Sequence, residues 1–508
     1  MNTSSSSETP GLIPPLAAPP APPPAPPPEA QPGPKVVETH ISTLFFVDDL
    51  VLKRRKPVTT GFLDFASVEA RRLDCEREVE LNRRLAPDVY LGVASFDLPG
   101  AFTEPLVVMR RLPVERRLSA LLAEPDAGEH VREVARIVAS FHTRADRGER
   151  IDAAATIDAV QALWSAGFEQ LSALPGELVE RAELDRAARL AHDYLAGRRP
   201  LFDQRLASGR AVDGHGDLLA EDIFCLEDGP RILDCLEFDE HLRFGDALLD
   251  LAFLAMDLER LGAVDLVPVL LDSYREFSSD AWPDSLMHHF IAYRAHVRMK
   301  VAWIRYTQGD PTAADQVRAL HQLCVDHLER GRVRMVIVGG SPGTGKTTVA
   351  KQLADGLAIS VISSDDVRDE LMPRAELATR TESARHDDLH AGRYAPERTG
   401  AVYAELLRRA AVLLEHGESV VLDASWLDAG RRAEAREMAA LHHVPLCELR
   451  CDCPIEVAAE RVGRRLLAGS DASEATPAVA RLLAADPDPW PEATVLHTAE
   501  ASTSAEVT

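Results

Sequence analysis

Hydrophobic residues change their spacing several times along the chain, and these changes predict the order of the secondary-structure elements. From residue 36 to about 114, short apolar runs alternate with turn residues, which predicts strands with one helix over about 68–85. Over about 119–207 and again over 245–330, apolar residues recur three and four positions apart, as in amphipathic helices. Between these helical regions, residues 211–239 return to short strands. Strands and helices grouped in this way predict an α+β unit.

A second unit begins after residue 330. Residues 335–339 are wholly apolar and predict a buried strand, and later apolar runs alternate with helical periodicity up to a last strand at Thr494 to His497. This alternation predicts an α/β unit with a mainly parallel sheet. We therefore place the first domain at residues 35–330 and the second at 331–500, and we expect 501–508 to form a loose tail.

The first 34 residues have a different composition. They are rich in serine and then in proline and alanine, and they hold 13 of the 34 prolines of the chain. Such a segment buries too little apolar surface to offset the entropy of ordering it. We expect a disordered arm with extended polyproline character. The alternative is that this segment is a ligand of a proline-recognition module, and the sequence does not identify such a partner.

Composition and charge narrow the classes of function. Of the 508 residues, 56 are Lys or Arg and 81 are Asp or Glu, so the net charge is −25. This balance argues against a protein whose main task is binding nucleic acid or an anionic membrane. The sequence contains no run of about 18 uncharged apolar residues, so it predicts no membrane-spanning helix. The N-terminus lacks the basic and apolar regions of a secretion signal, which favours a cytoplasmic protein with its seven cysteines reduced.

The most specific motif of the sequence is a phosphate-binding loop between the strand at 335–339 and a predicted helix. It fits G-x-x-x-x-G-K-[ST], in which glycines let backbone N–H groups converge on phosphate oxygens. Lys346 is expected to reach the outer phosphates, and the Thr347 hydroxyl to bind Mg²⁺. The loop and the start of its helix comprise Gly340, Ser341, Pro342, Gly343, Thr344, Gly345, Lys346, Thr347 and Thr348.

Acidic and basic residues farther along this unit supply the other parts of a kinase site. Asp365 follows a predicted strand, where it could accept the proton of an acceptor hydroxyl, and nearby Arg368 could hold an anionic part of the acceptor. Asp423 ends another strand and is the expected acid beside Mg²⁺. Arg461 and Arg465, with Arg464 between them, precede residues 469–476 and predict a lid that closes on the transferred phosphate; a solvated helix face is the alternative.

Residues 333–498 resemble the predicted small-molecule kinases of the P-loop superfamily and share features with gluconate-type and polynucleotide-5′-hydroxyl kinases. The matching segments are 340–348, 363–365, 422–425 and 461–465. The resemblance implies transfer of a phosphoryl group from ATP with Mg²⁺ present. It does not name the acceptor, although the acidic net charge argues against a long nucleic acid.

A second motif lies in the first unit. His215 to Asp222 has the H-x-D-x-x-x-x-N pattern of a kinase catalytic loop, with Asp222 in place of the usual Asn. A predicted hairpin then returns the chain to Asp234, so that three acids converge. Asp217 would accept the hydroxyl proton, and Asp222 and Asp234 would hold Mg²⁺. The alternative is a structural turn in an inactive relative.

Residues 36–330 resemble the aminoglycoside phosphotransferase family, whose bilobal fold is like that of protein kinases. The whole chain resembles the subgroup in which such a unit is fused to a P-loop kinase, the bifunctional aminoglycoside phosphotransferase/ATP-binding proteins. The segments that carry this resemblance are 38–42, 53–57, 61–65, 82–87 and 244–253.

This resemblance implies roles for several residues of the first unit. Lys53 would bind the nucleotide phosphates and Glu78 would be its ion-pair partner, although Arg55 or Lys56 could take the place of Lys53 because the strand register is open. Asp246 and Asp250 would brace the catalytic loop. The sequence departs from the family pattern at Asp222, and it lacks a glycine-rich loop, so that residues 39–43 would have to cover the phosphates.

Together these features predict an ATP-dependent phosphotransferase with two kinase units, each acting on a small-molecule hydroxyl. Three alternatives stay open. One is a regulatory protein that binds nucleotide without a physiological acceptor. Another is a chain in which only the P-loop unit is active and the first unit binds substrate, and the third is end-phosphorylation of a nucleic acid. The family name is a weak guide to the acceptor. An aminoglycoside is polycationic, and an acidic acceptor cleft would suit it.

Overall fold

The structure is a computed structural model, which describes most of the two units. The predicted arm at 1–34, the tail at 501–508, nearly all of the proposed lid at 469–476 and residues 39–40 lie outside the described residues. The described ranges are 35–38, 41–58, 65–97, 103–372, 395–468, 476–485 and 488–499.

The chain divides into two compact units. One unit comprises residues up to His192 and Phe202–Gly331, and the other comprises Asp193–Leu201 and the residues from Arg332 onward. No pattern in the sequence indicated that the short segment Asp193–Leu201 belongs with the second unit. Within the described residues, no helix is both long and apolar enough to cross a membrane.

The first unit begins with a five-stranded antiparallel sheet and one helix. The strands pair in the order β1-β2-β3-β5-β4, so β3 lies at the centre. Helix α1, Val68–Asn82, begins at Ser67, whose side chain accepts a hydrogen bond from the backbone N–H of Ala70. Residues of α1, β3, β4 and β5 share one hydrophobic core. The strands are β1 Lys35–Glu38, β2 Ser42–Val47, β3 Leu50–Arg55, β4 Tyr90–Asp97 and β5 Thr103–Arg110.

The rest of this unit is mainly helical, with two short antiparallel strand pairs, β6 with β9 and β7 with β8. Helix α8 is buried along nearly its whole length, because other elements cover it on every side. The elements are α2 Leu118–Leu121, α3 Ala127–Arg144, α4 Glu149–Ala154, α5 Ile157–Gln170, α6 Arg181–Ala196, α7 Arg199–Ala207, β6 Ala211–Asp213, β7 Ile223–Leu226, β8 Gly229–Ile232, β9 Phe244–Asp246, α8 Ala247–Arg260, α9 Leu266–Ser278, α10 Asp284–Thr307 and α11 Ala313–Arg330. The end of α6 and the start of α7 lie in the segment Asp193–Leu201, which belongs to the second unit.

The second unit is built on a five-stranded sheet in the order β11-β12-β10-β13-β14, and every strand pair in it is parallel. Strand β10 is central and buried at every residue, as its apolar sequence predicted. The elements are β10 Met335–Gly339, α12 Lys346–Leu357, β11 Ser360–Ser363, α13 Ser364–Leu371, α14 Pro396–Glu415, β12 Val420–Asp423, α15 Ala429–Leu441, β13 Leu446–Asp452, α16 Ile455–Ala468, α17 Pro477–Ala485 and β14 Thr494–His497.

The predicted classes of both units are confirmed. The first is an α+β unit with the arrangement of a protein kinase, in which an antiparallel sheet and its helix precede a mainly helical part. The second is an α/β unit with a parallel sheet. Because parallel strands end at the same edge, loops that follow β10, β11 and β12 are brought together there.

A buried ion cluster stabilises the helical part of the first unit and leads to one prediction. Both carboxylate oxygens of Asp246 accept hydrogen bonds from Arg205, each at 2.7 Å, and Asp280 accepts two more, at 2.8 and 3.0 Å. Substitution Arg205→Met leaves the buried carboxylate of Asp246 without its cation and leaves Asp280 with Arg210 alone, 3.2 Å away, and we expect it to cost about 3–5 kcal/mol of unfolding free energy. Urea unfolding followed by circular dichroism measures this loss.

The matched control is Arg318→Met, because Arg318 pairs with Asp315 while about half of its side chain is exposed. An exposed pair contributes about 0–1 kcal/mol, so this variant should unfold almost as the wild type does. Equal losses in the two variants would contradict the assignment of the Arg205 cluster as a stabilising element.

Candidate active sites

The catalytic loop of the first unit is held by a buried carboxylate. Asp250, on α8, accepts hydrogen bonds from the backbone N–H groups of His215, at 2.7 Å, and Gly216, at 2.9 Å. A ring nitrogen of His142 lies 3.1 Å from the same carboxylate. Gly216 has φ +87°, a conformation that favours glycine. The prediction that Asp250 braces this loop is therefore confirmed.

Asp246 has a different place from the one predicted. Its carboxylate binds Arg205 and accepts a hydrogen bond from the backbone N–H of Leu248, at 2.8 Å, at the start of α8. It makes no hydrogen bond to residues 215–222 among the described contacts. The prediction that Asp246 braces the loop directly was wrong, because a buried arginine that the sequence pattern did not reveal occupies this carboxylate.

The three predicted acids of the first unit share one electrostatic environment. Burial and the charge of Asp234 raise the pKa of Asp217 to about 6, although Arg298 opposes the shift. Burial, Asp234, Glu221 and Asp217 raise the pKa of Asp222 well above its usual value. These carboxylates repel one another, which is the situation that a bound cation relieves. Hairpin β7–β8 brings them together, since the backbone N–H of Leu233 donates to the carbonyl of Asp222 at 3.0 Å.

Lys53 occupies the position predicted for the phosphate-binding lysine. Its Nζ lies 2.8 Å from Oε1 of Glu78 and 3.3 Å from Oδ1 of Asp234. Burial would lower the pKa of Lys53, but the charges of Glu78 and Asp234 raise it above its usual value. Lys56 instead pairs with Glu38 at 3.0 Å, where two thirds of the Glu38 side chain is exposed. Lys56 is therefore not the partner of Glu78, whereas Lys53 and Arg55 both are, and the role of Lys53 in binding phosphate stays a prediction.

Arg55 has a structural role that was not predicted from the sequence. This side chain is buried and donates hydrogen bonds to Asp74 at 2.6 Å, to Glu78 at 2.9 Å and to the hydroxyl of Ser42 at 3.0 Å. It also contacts the carboxylate of Glu237, three residues after Asp234. The available signal was strand alternation, which puts residues 53 and 55 on the same face of β3. Arg55 thus links β3, α1 and the segment that carries Asp234.

The phosphate loop of the second unit depends on close backbone approach. Gly343 has φ +89°, and a Cβ placed there would lie 2.2 Å from the carbonyl oxygen of Ala458. Gly340 has φ +141°, and a Cβ there would lie 2.6 Å from the carbonyl oxygen of Cys451. The Thr344 hydroxyl donates to the carbonyl of Ser341 at 2.8 Å. The loop is therefore shaped by contacts that only glycine permits at two positions.

Lys346 and Thr347 begin α12, and both act on Asp423 at the end of β12. The Thr347 hydroxyl hydrogen-bonds to Asp423, and the charge of Lys346 lowers the pKa of that carboxyl, although burial raises it overall. Asp423 is buried, and its Oδ1 accepts no hydrogen bond from the described residues. Carboxylate and hydroxyl oxygens are preferred ligands of Mg²⁺, so these residues fit that ion.

Asp365 and Arg368 lie at the same edge of the sheet, on α13. Oδ1 of Asp365 accepts a hydrogen bond from Arg368 at 2.6 Å, and the charge of Asp365 raises the pKa of Asp423. Asp365 therefore shares the space near the phosphate loop, as predicted for parallel strand ends. Arg368 is buried and engaged with Asp365.

The three arginines of α16 have different surroundings. Arg461 donates to the backbone carbonyls of Thr498 at 2.9 Å and Ala499 at 3.2 Å, next to the phosphate loop. The side chain of Arg464 is about two thirds exposed and lies 3.8 Å from Glu460, as in the alternative of a solvated face. Arg465 is half-buried on the same helix. The lid itself stays a prediction, since residues 469–475 lie outside the described part.

Thr498 was not singled out from the sequence, yet it ties β14 to the phosphate loop. Its hydroxyl donates to the carbonyl of Thr344 at 2.6 Å, and its backbone N–H donates to the carbonyl of Asp452 at 2.9 Å. A threonine after a short strand is an ordinary sequence feature, so no local pattern could have indicated this contact.

The geometry of the loop glycines predicts different tolerances to alanine. Gly343→Ala combines a positive φ with a clash against the Ala458 carbonyl, whereas at Gly345, φ +85°, the nearest atom to a Cβ is 3.7 Å away. We expect Gly345→Ala to cost about 1 kcal/mol and Gly343→Ala about 1–3 kcal/mol more. The melting temperature of the second unit, measured by calorimetry, tests this order. Equal effects would show that the close approach at Gly343 is unimportant.

Comparisons with known proteins match the two units separately and the chain as a whole. Residues 335–486 match the family model described as an AAA domain. Among solved structures, a choline/ethanolamine kinase family protein from Mesorhizobium loti is 15% identical, with 58% of this chain and 88% of that chain covered and a TM-score of 0.38. A gluconokinase from Sinorhizobium meliloti is 20% identical, with 33% and 83% covered and a TM-score of 0.24.

Two curated relatives match nearly the full length. They are the uncharacterized proteins Rv2004c of Mycobacterium tuberculosis and Mb2027c of Mycobacterium bovis, each 41% identical over 458 residues, with 90% of both chains covered. Because this identity extends over nine tenths of each chain, the chain belongs to the same protein family as these mycobacterial proteins.

Proposed function

We propose that the chain is an ATP-dependent phosphotransferase whose two units each transfer the γ-phosphoryl group of ATP to a small-molecule hydroxyl. One observation, made in both units, carries the proposal. In each unit a lysine placed for phosphate binding acts on a carboxylate that fits Mg²⁺: Lys53 lies 3.3 Å from Asp234, and the charge of Lys346 lowers the pKa of Asp423. A kinase needs this combination of fixed cation and metal-binding acid.

In the first unit, Glu78 and Asp234 hold Lys53 in place for the nucleotide phosphates. Asp222 and Asp234 would hold Mg²⁺, which when bound neutralises phosphate charge. Asp217 accepts a hydrogen bond from the acceptor hydroxyl and takes up its proton. The hydroxyl oxygen bonds to the γ-phosphorus, the bond to the ADP oxygen breaks and ADP leaves.

In the second unit, the backbone N–H groups of the loop bind phosphate oxygens at the N-terminus of α12. Lys346 neutralises the outer phosphates, and Thr347 and Asp423 would hold Mg²⁺. Asp365 would align the acceptor hydroxyl, and Arg461 and Arg465 would stabilise the charge on the transferred group. The net charge of −25 supports a small-molecule acceptor over a nucleic acid.

Separate substitutions test whether both units transfer phosphate. Purified chain is assayed for ATP consumption over aminoglycosides, sugars, sugar acids, choline and nucleosides, with Asp217→Ala and Lys346→Ala beside the wild type. We expect each variant to lose transfer to one set of acceptors, with Asp217→Ala lowering it about 10²–10⁴-fold because the proton acceptor is gone.

ATP binding is measured in each variant as the control. If Asp217→Ala leaves all phosphate transfer intact, the first unit is not a kinase. If the wild type binds ATP but turns over with no acceptor, the regulatory alternative replaces the proposal. Asp365→Ala provides the matching test of the hydroxyl-aligning acid in the second unit.

Protonation of Asp217 predicts a pH dependence. Its pKa is raised to about 6, and only the ionised carboxylate accepts a proton, so transfer by the first unit should rise with pH through a midpoint at about 6 and level off at higher pH. The measurement is kcat/KM against pH in the Lys346→Ala chain. Arg298 lowers this pKa, so Arg298→Gln should move the midpoint to higher pH, whereas Arg305→Gln on the same helix should not. A midpoint unchanged in Arg298→Gln would contradict the assignment of Asp217.

A further inference from the structure

Two arginines of α10 lie beside Asp217, where the acceptor hydroxyl must bind for its proton to be removed. Nη1 of Arg298 is 3.8 Å from Oδ1 of Asp217. Arg294 is four residues earlier, on the same face of the helix, and its charge also acts on Asp217. The proton acceptor of the first unit is therefore flanked by two positive charges.

The hydrogen-bonding capacity of Arg298 is unused. A guanidinium has five N–H donors, and 3.8 Å is too long for a hydrogen bond. Among the described residues, the side chain of Arg298 makes no hydrogen bond, and only 18% of it is exposed. A guanidinium on a mostly buried side chain, with donors that no described residue occupies, is suited to binding an anion in bidentate fashion.

Arg294 is even more buried. Its Nε donates to the carbonyl of Leu249 at 2.9 Å, and its guanidinium lies 4.6 Å from the ring centre of Phe253. Its two terminal nitrogens make no hydrogen bond to the described residues. Burial lowers the pKa of Arg294, and the charges of Asp250 and Asp217 oppose this shift.

The neighbouring acids are already engaged by other groups. Asp250 accepts hydrogen bonds from the catalytic loop and lies against His142. Asp257 accepts from the backbone N–H of Ala220 at 3.0 Å and pairs with Arg260 at 2.7 Å. Among the described acids near α10, Asp217 is thus the one that pairs with Arg298, at 3.8 Å, and Arg298 and Arg294 are the positive charges that act on it.

We infer that the acceptor of the first unit is an alcohol that carries a compact anionic group, carboxylate or phosphate, bound by Arg298 with Arg294 adding charge. The inference rests on the proposed function, because it concerns the same site. Two arginines at this position repel an ammonium group, so a polycationic aminoglycoside is a poor fit despite the resemblance of the fold. Arg298 would then be a determinant of specificity, distinct from Asp217, which takes the proton.

The experiment uses the full chain with Lys346→Ala, so that the first unit is observed alone. Initial rates of ADP formation are measured with matched three-carbon alcohols: glycerate, glycerol 3-phosphate, neutral glycerol and cationic serinol. A six-carbon series of glucuronate, glucose and glucosamine is run in parallel. ADP formed without acceptor, by transfer to water, provides the reference for each variant.

We expect the anionic member of a series to be the preferred acceptor, or to inhibit the formation of ADP by transfer to water. The cationic member should neither accept phosphate nor inhibit this reaction. Arg298→Gln should raise KM for the anion about 10- to 100-fold, the value of a charge-assisted hydrogen-bonded pair, with a smaller effect on kcat. Arg298→Lys should restore part of the binding, and Arg305→Gln should change nothing. The two anions distinguish carboxylate from phosphate.

Preference for a neutral or cationic member overturns the inference and leaves the proposed function standing. An anion effect that is absent, or that is the same in Arg298→Gln, also overturns it. If the Lys346→Ala chain binds ATP but forms ADP neither with water nor with any alcohol, the proposed function of this unit fails and the inference fails with it.

Discussion

The first unit depends on one carboxylate that is shared by two cations. Glu78 binds Lys53 through one oxygen and Arg55 through the other, and it is almost completely buried. A buried carboxylate of this kind is stable only while its partners stay in place. The position of α1 relative to β3 is thereby fixed, and Arg55 extends the link to Glu237 beyond Asp234. The lysine proposed to bind phosphate, the proposed metal-binding acid Asp234 and the packing of α1 on the sheet all share this small ionic network.

The two units solve the same physical problem in different ways. In the first, ion pairs with Glu78 and Asp234 hold the lysine that we propose binds phosphate, so its position depends on each of these charges. In the second, the shape of the backbone forms the loop that we propose binds phosphate. Gly340 approaches the backbone of Cys451, and Gly343 approaches that of Ala458, more closely than any residue with a Cβ could. A single chain therefore combines a charge-dependent site with a shape-dependent one.

Much of this could be predicted from the sequence, and the failures have a common cause. Motifs within a few residues, such as the phosphate loop and the predicted catalytic loop, indicated which groups lie together, because spacing alone fixes which groups meet. The partner of Asp246, the anchoring of Arg55 and the place of Arg298 depend on contacts across 41, 182 and about 80 residues. Such contacts leave no periodic pattern, and an arginine on a helix looks the same whether it faces solvent or a catalytic acid.

The contact between Thr498 and the phosphate loop has a consequence for how the second unit matures. The hydroxyl of Thr498 and the carbonyl of Thr344 are separated by 154 residues, and β14 is the last strand of the sheet. Contacts of such long sequence separation form late in folding, because the intervening chain must first be ordered. During synthesis, the strand and helix around the loop emerge long before the residue that completes it. The second unit thus acquires its finished loop as one of its final folding events, and a nascent chain exposes an incomplete one.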